Sequence, residues 1–83
     1  MEMHVDILII EHSHGTDVYP CRNEVIARQM LYTYVKDNWN SWLPDVPMPD
    51  NLDKMVYMYF DTAQTQEWYL LDTYPIIGSE YIE

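Results

Sequence analysis

NEVIARQMLYTYVKDNWNSWL, residues 23–43, is the longest stretch of the chain with a single readable period, and it predicts the main helix. Asn23 is a good N-cap, and Glu24 puts a negative charge in the first turn, where unpaired amides and the helix dipole favour it. Ala27, Met30, Leu31, Tyr34, Val35 and Trp42 recur at spacings of three or four and make an apolar side, while Arg28, Gln29, Thr33, Lys36 and Asp37 fall mostly elsewhere. Pro44 ends the helix, because proline has no amide hydrogen and forces the residue before it out of helical geometry. An apolar side of this length needs a sheet to cover.

Upstream, residues 5–10 are apolar except for Asp6, rich in β-branched side chains and too few for a helix, which is how a strand covered on both faces reads. Residues 3–12 are therefore expected to be the central strand. In residues 13–17 Gly15 suits a positive φ and Asp17 suits a bond to its own neighbouring backbone, which predicts a hairpin turn. Residues 18–22 return antiparallel, and Pro20, which cannot donate to a ladder, places them at an edge.

Downstream, three prolines in residues 44–49 make a stiff connector. Asp50 or Asn51 caps a second helix running to about Gln64, with Leu52, Met55, Val56, Tyr59, Phe60 and Ala63 on one side and Asp53, Lys54, Tyr57 and Asp61 on the other. Residues 67–77 resume strand character, Trp68, Leu70 and Asp72 alternating with Tyr69, Leu71 and Thr73, and Pro75 demotes this strand to an edge. Residues 78–83 read as an acidic tail. With both flanking strands at edges the first lies between them, and one passage per helix returns the third strand parallel to the first. The expectation is one α+β domain over residues 1–83: a two-layer ββααβ sandwich with a three-stranded mixed sheet, order 2-1-3, covered by two helices.

Eighty-three residues leave room for one domain of modest stability, helped by a partner or a second copy. An apolar fraction of 48%, with three Trp, eight Tyr and six Met, suffices for a core and argues against disorder. A single cysteine, Cys21, forms no internal disulfide and fits a reducing, cytoplasmic setting. The first ten residues hold Glu2 and Asp6 and no base, so they lack the flank and length of a signal peptide or membrane span.

Fourteen acids against four bases give a net charge of −10, which disfavours nucleic acid and anionic lipid and favours a basic protein surface, including that of a nucleic-acid-binding protein. The charge is uneven: six acids and three bases in residues 1–44 give −3, and eight acids with Lys54 in residues 45–83 give −7. Asp45, Asp50, Asp53, Asp61, Glu67 and Asp72, with the off-core aromatics Trp39 and Tyr57, are the expected partner-binding residues, since aromatics beside carboxylates anchor protein interfaces. Tyr32 and Tyr81 also fall off the predicted core faces.

His12 and His14, two apart with Asp17 and Cys21 nearby, are the alternative site for a metal or a minor enzymatic role. Paired ligand spacings are lacking, so no metal is expected there. No catalytic triad, phosphate loop or carboxylate pair is present, so neither enzyme activity nor a cofactor is expected. A plain dimerisation module is a third reading.

The run from His12 to Tyr19, followed by a helix ending in Asn38-Trp39, resembles small acidic proteins of unknown role carried by bacteria and their phages. In size, charge and lack of a catalytic motif the chain is also similar to phage anti-defence proteins, including anti-CRISPR proteins and DNA mimics. That resemblance implies a protein that occupies the basic groove of a nucleic-acid-binding machine.

Overall fold

The computed structural model describes residues 4–62 and 66–76. Along the chain lie β1 (His4–His12), β2 (Gly15–Cys21), α1 (Glu24–Trp42), α2 (Leu52–Asp61) and β3 (Trp68–Pro75). The strands form one sheet in the order β2-β1-β3, as the two edge prolines require, and two helices complete the ββααβ sandwich. Met3, Ala63, Gln64, Ile77, Tyr81 and the tail, to which the sequence reading assigned roles, lie outside the described residues.

Both helix starts are set by asparagine. Asn23 Oδ1 accepts the Ile26 amide at 2.9 Å and Asn51 Oδ1 accepts the Lys54 amide at 2.9 Å, each satisfying a donor that has no partner within its helix. The hairpin is tighter than expected: His12 pairs with Gly15, leaving Ser13 and His14 as a two-residue loop, and Gly15 takes φ +132°. That angle is open to glycine and strained for other residues.

The sheet is antiparallel throughout, not mixed. Glu11 of β1 lies opposite Trp68 and His4 opposite Pro75, so β3 runs against β1. The error lies in counting one passage per helix. The connector after Leu43 makes a passage of its own: Trp39 Nε1 donates to the Val46 carbonyl at 2.8 Å, and Asp53 meets the Tyr32 hydroxyl far back along α1. Tyr59 then lies edge-on to Tyr34. Six residues of α2 span ~9 Å but meet points only ~3 Å apart along α1, so α2 crosses α1 steeply and delivers the chain to the hairpin end of β1.

Leu8 and Ile10 of β1, Leu31, Val35 and Trp39 of α1, and Met55, Val56 and Tyr59 of α2 make the core. The buried stripe of α1 is Ala27, Leu31, Val35 and Trp39, a steady spacing of four, and it corrects the expected one at two places. Met30 is 37% exposed, and Trp39, expected outside, is 1% exposed because Val46 satisfies its indole N–H. On α2, Leu52 is exposed while Met55, Val56 and Tyr59 are buried.

β1 is covered on one face, not on both. Asp6, Leu8 and Ile10 point into the helix layer, whereas Val5, Ile7 and Ile9 on the opposite face are half-buried by their neighbours in the sheet.

Candidate functional site

The stripe on α2 that the sequence marked as polar contributes to the wall of a groove. Asp53, Tyr57 and Asp61 stand four residues apart, so they share one side of the helix. With Arg28 and Tyr32 of α1, Phe60 of α2 and Tyr69 of β3 they line an open cavity of about 310 Å³ floored by Leu31 and Val56. Tyr57 is 68% exposed, the barest large side chain among the exposed hydrophobics. Tyr32 donates to Asp53 Oδ1 at 3.0 Å, and burial followed by that bond raises its hydroxyl pKa, keeping it a donor. Arg28 makes a 3.4 Å ion pair with Glu24 one turn back, and this exposed pair leaves the guanidinium on the groove rim. Phe60 and Tyr69 pack with ring centroids 4.8 Å apart and fix the β3 wall.

Three of the eight expected partner-binding residues, Asp53, Tyr57 and Asp61, line the groove, while Asp50, just before the α2 cap, and Asp45, on the connector, are exposed outside its lining. The other three lie elsewhere. Trp39 belongs to the core. Asp72 is exposed but lies opposite Ile7, on the sheet face away from the helices. Glu67 is 8% exposed, because its Oε1 accepts the hydroxyls of Tyr34 at 2.7 Å and Tyr59 at 2.8 Å. A carboxylate so placed organises the interior and is closed to a partner. Burial, and then Glu67, push both tyrosine pKa values far above the ordinary value.

The alternative constellation at the hairpin is not brought together. His12 sits opposite Gly15 at one end of the β1–β2 pair and Cys21 opposite Asp6 at the other, roughly 20 Å away at the rise of a strand. Cys21 is buried, its thiol donating to the Tyr19 carbonyl at 3.4 Å. His12 Nδ1 accepts the His14 amide at 3.1 Å, so the neutral ring carries its proton on Nε2, 2.8 Å from Asp17 Oδ2. Both nitrogens are engaged, leaving no free lone pair for a metal. Among the described residues no three His, Cys, Asp or Glu side chains are grouped to hold an ion, and no helix is long and apolar enough to cross a membrane.

Beyond Leu31, Val56 and Phe60, which the sequence assigned to the core faces, Arg28, Tyr32 and Tyr69 are the groove residues absent from the expected partner-binding set. Tyr32 was legible as an off-core aromatic; Arg28 and Tyr69 become neighbours of α2 only through the steep helix crossing. Comparison of the chain with protein-family models, curated proteins and solved structures returns no match in any of the three.

Proposed function

We propose that this chain is a small acidic protein-binding module that takes a basic segment of a partner protein in the groove between α1, α2 and β3. The observation that carries the reading is the stripe Asp53, Tyr57 and Asp61: two carboxylates on either side of an exposed ring, one helical turn apart, on the rim of an aromatic-walled groove. A lysine or arginine laid over Tyr57 gains a cation–π contact and a carboxylate on each side. Leu31 and Val56 supply the apolar floor, and Phe60 and Tyr69 the aromatic wall, that interface anchors require.

The narrower reading, a nucleic-acid mimic of the kind used by phage inhibitors, draws support from the charge of −10. The spacing supports it less. Asp53 and Asp61 are separated by ~12 Å of helix rise, whereas phosphates along one DNA strand recur every ~3.4 Å. A short basic protein segment fits so sparse a row better than a groove shaped for a phosphate backbone. An enzymatic or metal role at the hairpin draws no support from a histidine whose two nitrogens are already bonded.

Titration calorimetry against a panel of arginine- and lysine-bearing helical peptides, with charge-reversed peptides as controls, tests this. Basic peptides should bind with micromolar affinity, bind more weakly in high salt, and lose about ten-fold or more on Tyr57→Ala. Equal binding of both panels, or binding indifferent to Tyr57→Ala, rules the groove out.

A further inference from the structure

We infer that a second cavity, at the hairpin end of the core, binds a methylated ammonium group, the head of a choline-type cation or of a methylated lysine side chain. Register builds it. Leu8 and Ile10 face the helices, so Asp17, opposite Ile10 on β2, faces them too, as does His12, two residues beyond Ile10. The β1–β3 register, carried one step past Glu11 and Trp68, brings Glu67 to the level of His12. Gln66, just before it, takes φ 51°, a left-handed turn that leads Glu67 inward to Tyr34 and Tyr59. From the helix layer come Tyr34, Asn38 and Trp42, one turn apart on α1. With His14 of the loop these side chains line an open cavity of about 320 Å³. That is the lower end of small-molecule sites, ~300–1,000 Å³, and it suits a small head group.

The wall holds four rings and two carboxylates. Tyr34, Trp42, His12 and His14 supply the rings and Asp17 and Glu67 the charge, and among the described residues lining the cavity there is no Lys or Arg. His12, neutral when its Nδ1 accepts the His14 amide, offsets neither acid. The last turn of α1, which ends at Trp42, holds no base either, so the negative end of its dipole stands uncompensated. Negative charge beside Trp and Tyr rings is the chemistry that recognises an organic cation.

Hydrogen bonding decides which cation. Asp17 Oδ2 lies 2.8 Å from His12 Nε2, and Glu67 Oε1 takes the hydroxyls of Tyr34 at 2.7 Å and Tyr59 at 2.8 Å. Both carboxylates thus already serve protein donors. A bare ammonium or guanidinium brings several N–H donors that must each find an acceptor on leaving water. A fully methylated ammonium brings none. It draws on the charge of Asp17 and Glu67 through the wall and on contact with Trp42 and Tyr34, and it asks no oxygen to change partners. The α2 groove differs on this point, since its carboxylates stand on an exposed helix side. The two sites share no lining residue, so the inference stands whether or not the groove binds a basic segment.

NMR titration of the full chain with tetramethylammonium and with choline, read on backbone amides and indole N–H groups, tests this. Both cations should shift Trp42 and His14 selectively and saturate with a Kd of about 1 mM. The alcohol 3,3-dimethylbutanol, which has choline's shape without its charge, should shift nothing over the same range. Trp42→Leu and Asp17→Asn should each weaken binding about five- to ten-fold. Amide dispersion reports whether each variant is folded, and Asp17→Asn, which keeps the side chain's shape, tests the charge even where Trp42→Leu loosens the helix end. A trimethyllysine peptide separates the two sources: tighter binding than choline places the head on a protein, weaker binding places it on a free small molecule, and both support the site. No shift at tens of millimolar, equal shifts with the alcohol, or shifts confined to Tyr57 and its groove overturns the inference. Undiminished binding in Asp17→Asn, or an unmethylated peptide that binds as well as its methylated twin, overturns it equally.

Discussion

The indole of Trp39 donates to the carbonyl of Val46 at 2.8 Å, and this bond ties the connector back against the helix it has just left. Leu43 N–H closes onto the Trp39 carbonyl at 2.7 Å and Val46 N–H onto Leu43 at 3.2 Å, so the reversal after α1 is held at three points within eight residues. The direction of β3 follows from that reversal. Trp39→Phe keeps an aromatic ring in the core but removes the donor and leaves a gap, and it should cost about 2–3 kcal/mol in urea unfolding. A loss under about 0.5 kcal/mol would show that the connector is held by its prolines alone.

Tyr34 and Tyr59 make the protein sensitive to alkali. Both stay protonated well above the pH at which an unfolded tyrosine ionises, because burial and the Glu67 carboxylate oppose a phenolate. A pKa raised on folding gives a contribution that is complete below the unfolded value near 10 and is lost as pH rises through the folded value. Above about pH 10 the unfolded chain releases protons that the folded chain keeps, and stability falls by up to about 1.4 kcal/mol per pH unit for fully buried Tyr59. Half-exposed Tyr34 adds less. Tyr59→Phe should lower stability at pH 7 by roughly 1–3 kcal/mol yet flatten the alkaline limb. Equal slopes for the two proteins between pH 10 and 12 would break the link to this hydroxyl.

These two features also mark where sequence reading stops. The α1 cap at Asn23, the edge positions of β2 and β3 and the α2 stripe were legible, because each depends on residues within a turn or on a proline's missing donor. The direction of β3 was not, since it depends on a connector that folds back, and no local pattern distinguishes that from one that does not. Trp39 continued the spacing of four from Val35, but a polar neighbourhood of Asn38 and Asn40 made it look external, and its acceptor lies seven residues on. Glu67 read as a surface acid because its partners come from two helices, 33 and 8 residues away. The apolar run of β1 read as a strand covered on both faces, but the helices cover only the side of Asp6, Leu8 and Ile10, and Val5, Ile7 and Ile9 are half-buried.

Gly15 tests the hairpin. A Cβ there meets nothing within 4 Å, so space is not the constraint, but φ +132° is a conformation that side chains rarely adopt. Gly15→Ala should therefore cost roughly 1–3 kcal/mol through backbone strain. Because His12, Asp17 and the turn share one end of the sheet, amide exchange should quicken first at Ser13, His14 and Thr16. A neutral substitution would mean that the loop relaxes to another turn type.

The acids of α2 should separate when neutralised one at a time. Asp53 stands in the first turn, where the helix dipole favours a negative charge, and it accepts the Tyr32 hydroxyl. Asp61 closes the same helix, where no base offsets it and the dipole disfavours it. Asp53→Asn should thus lower stability by about 0.3–1 kcal/mol, and Asp61→Asn should raise it by a similar amount, shifting the melting temperature a few degrees in opposite directions. General repulsion at net charge −10 predicts instead that both substitutions stabilise, so the sign of Asp53→Asn decides which effect wins. The double variant should melt near the parent temperature. That makes it the right form in which to measure association with basic peptides, because any slowing it shows comes from the lost charges and not from a loosened fold.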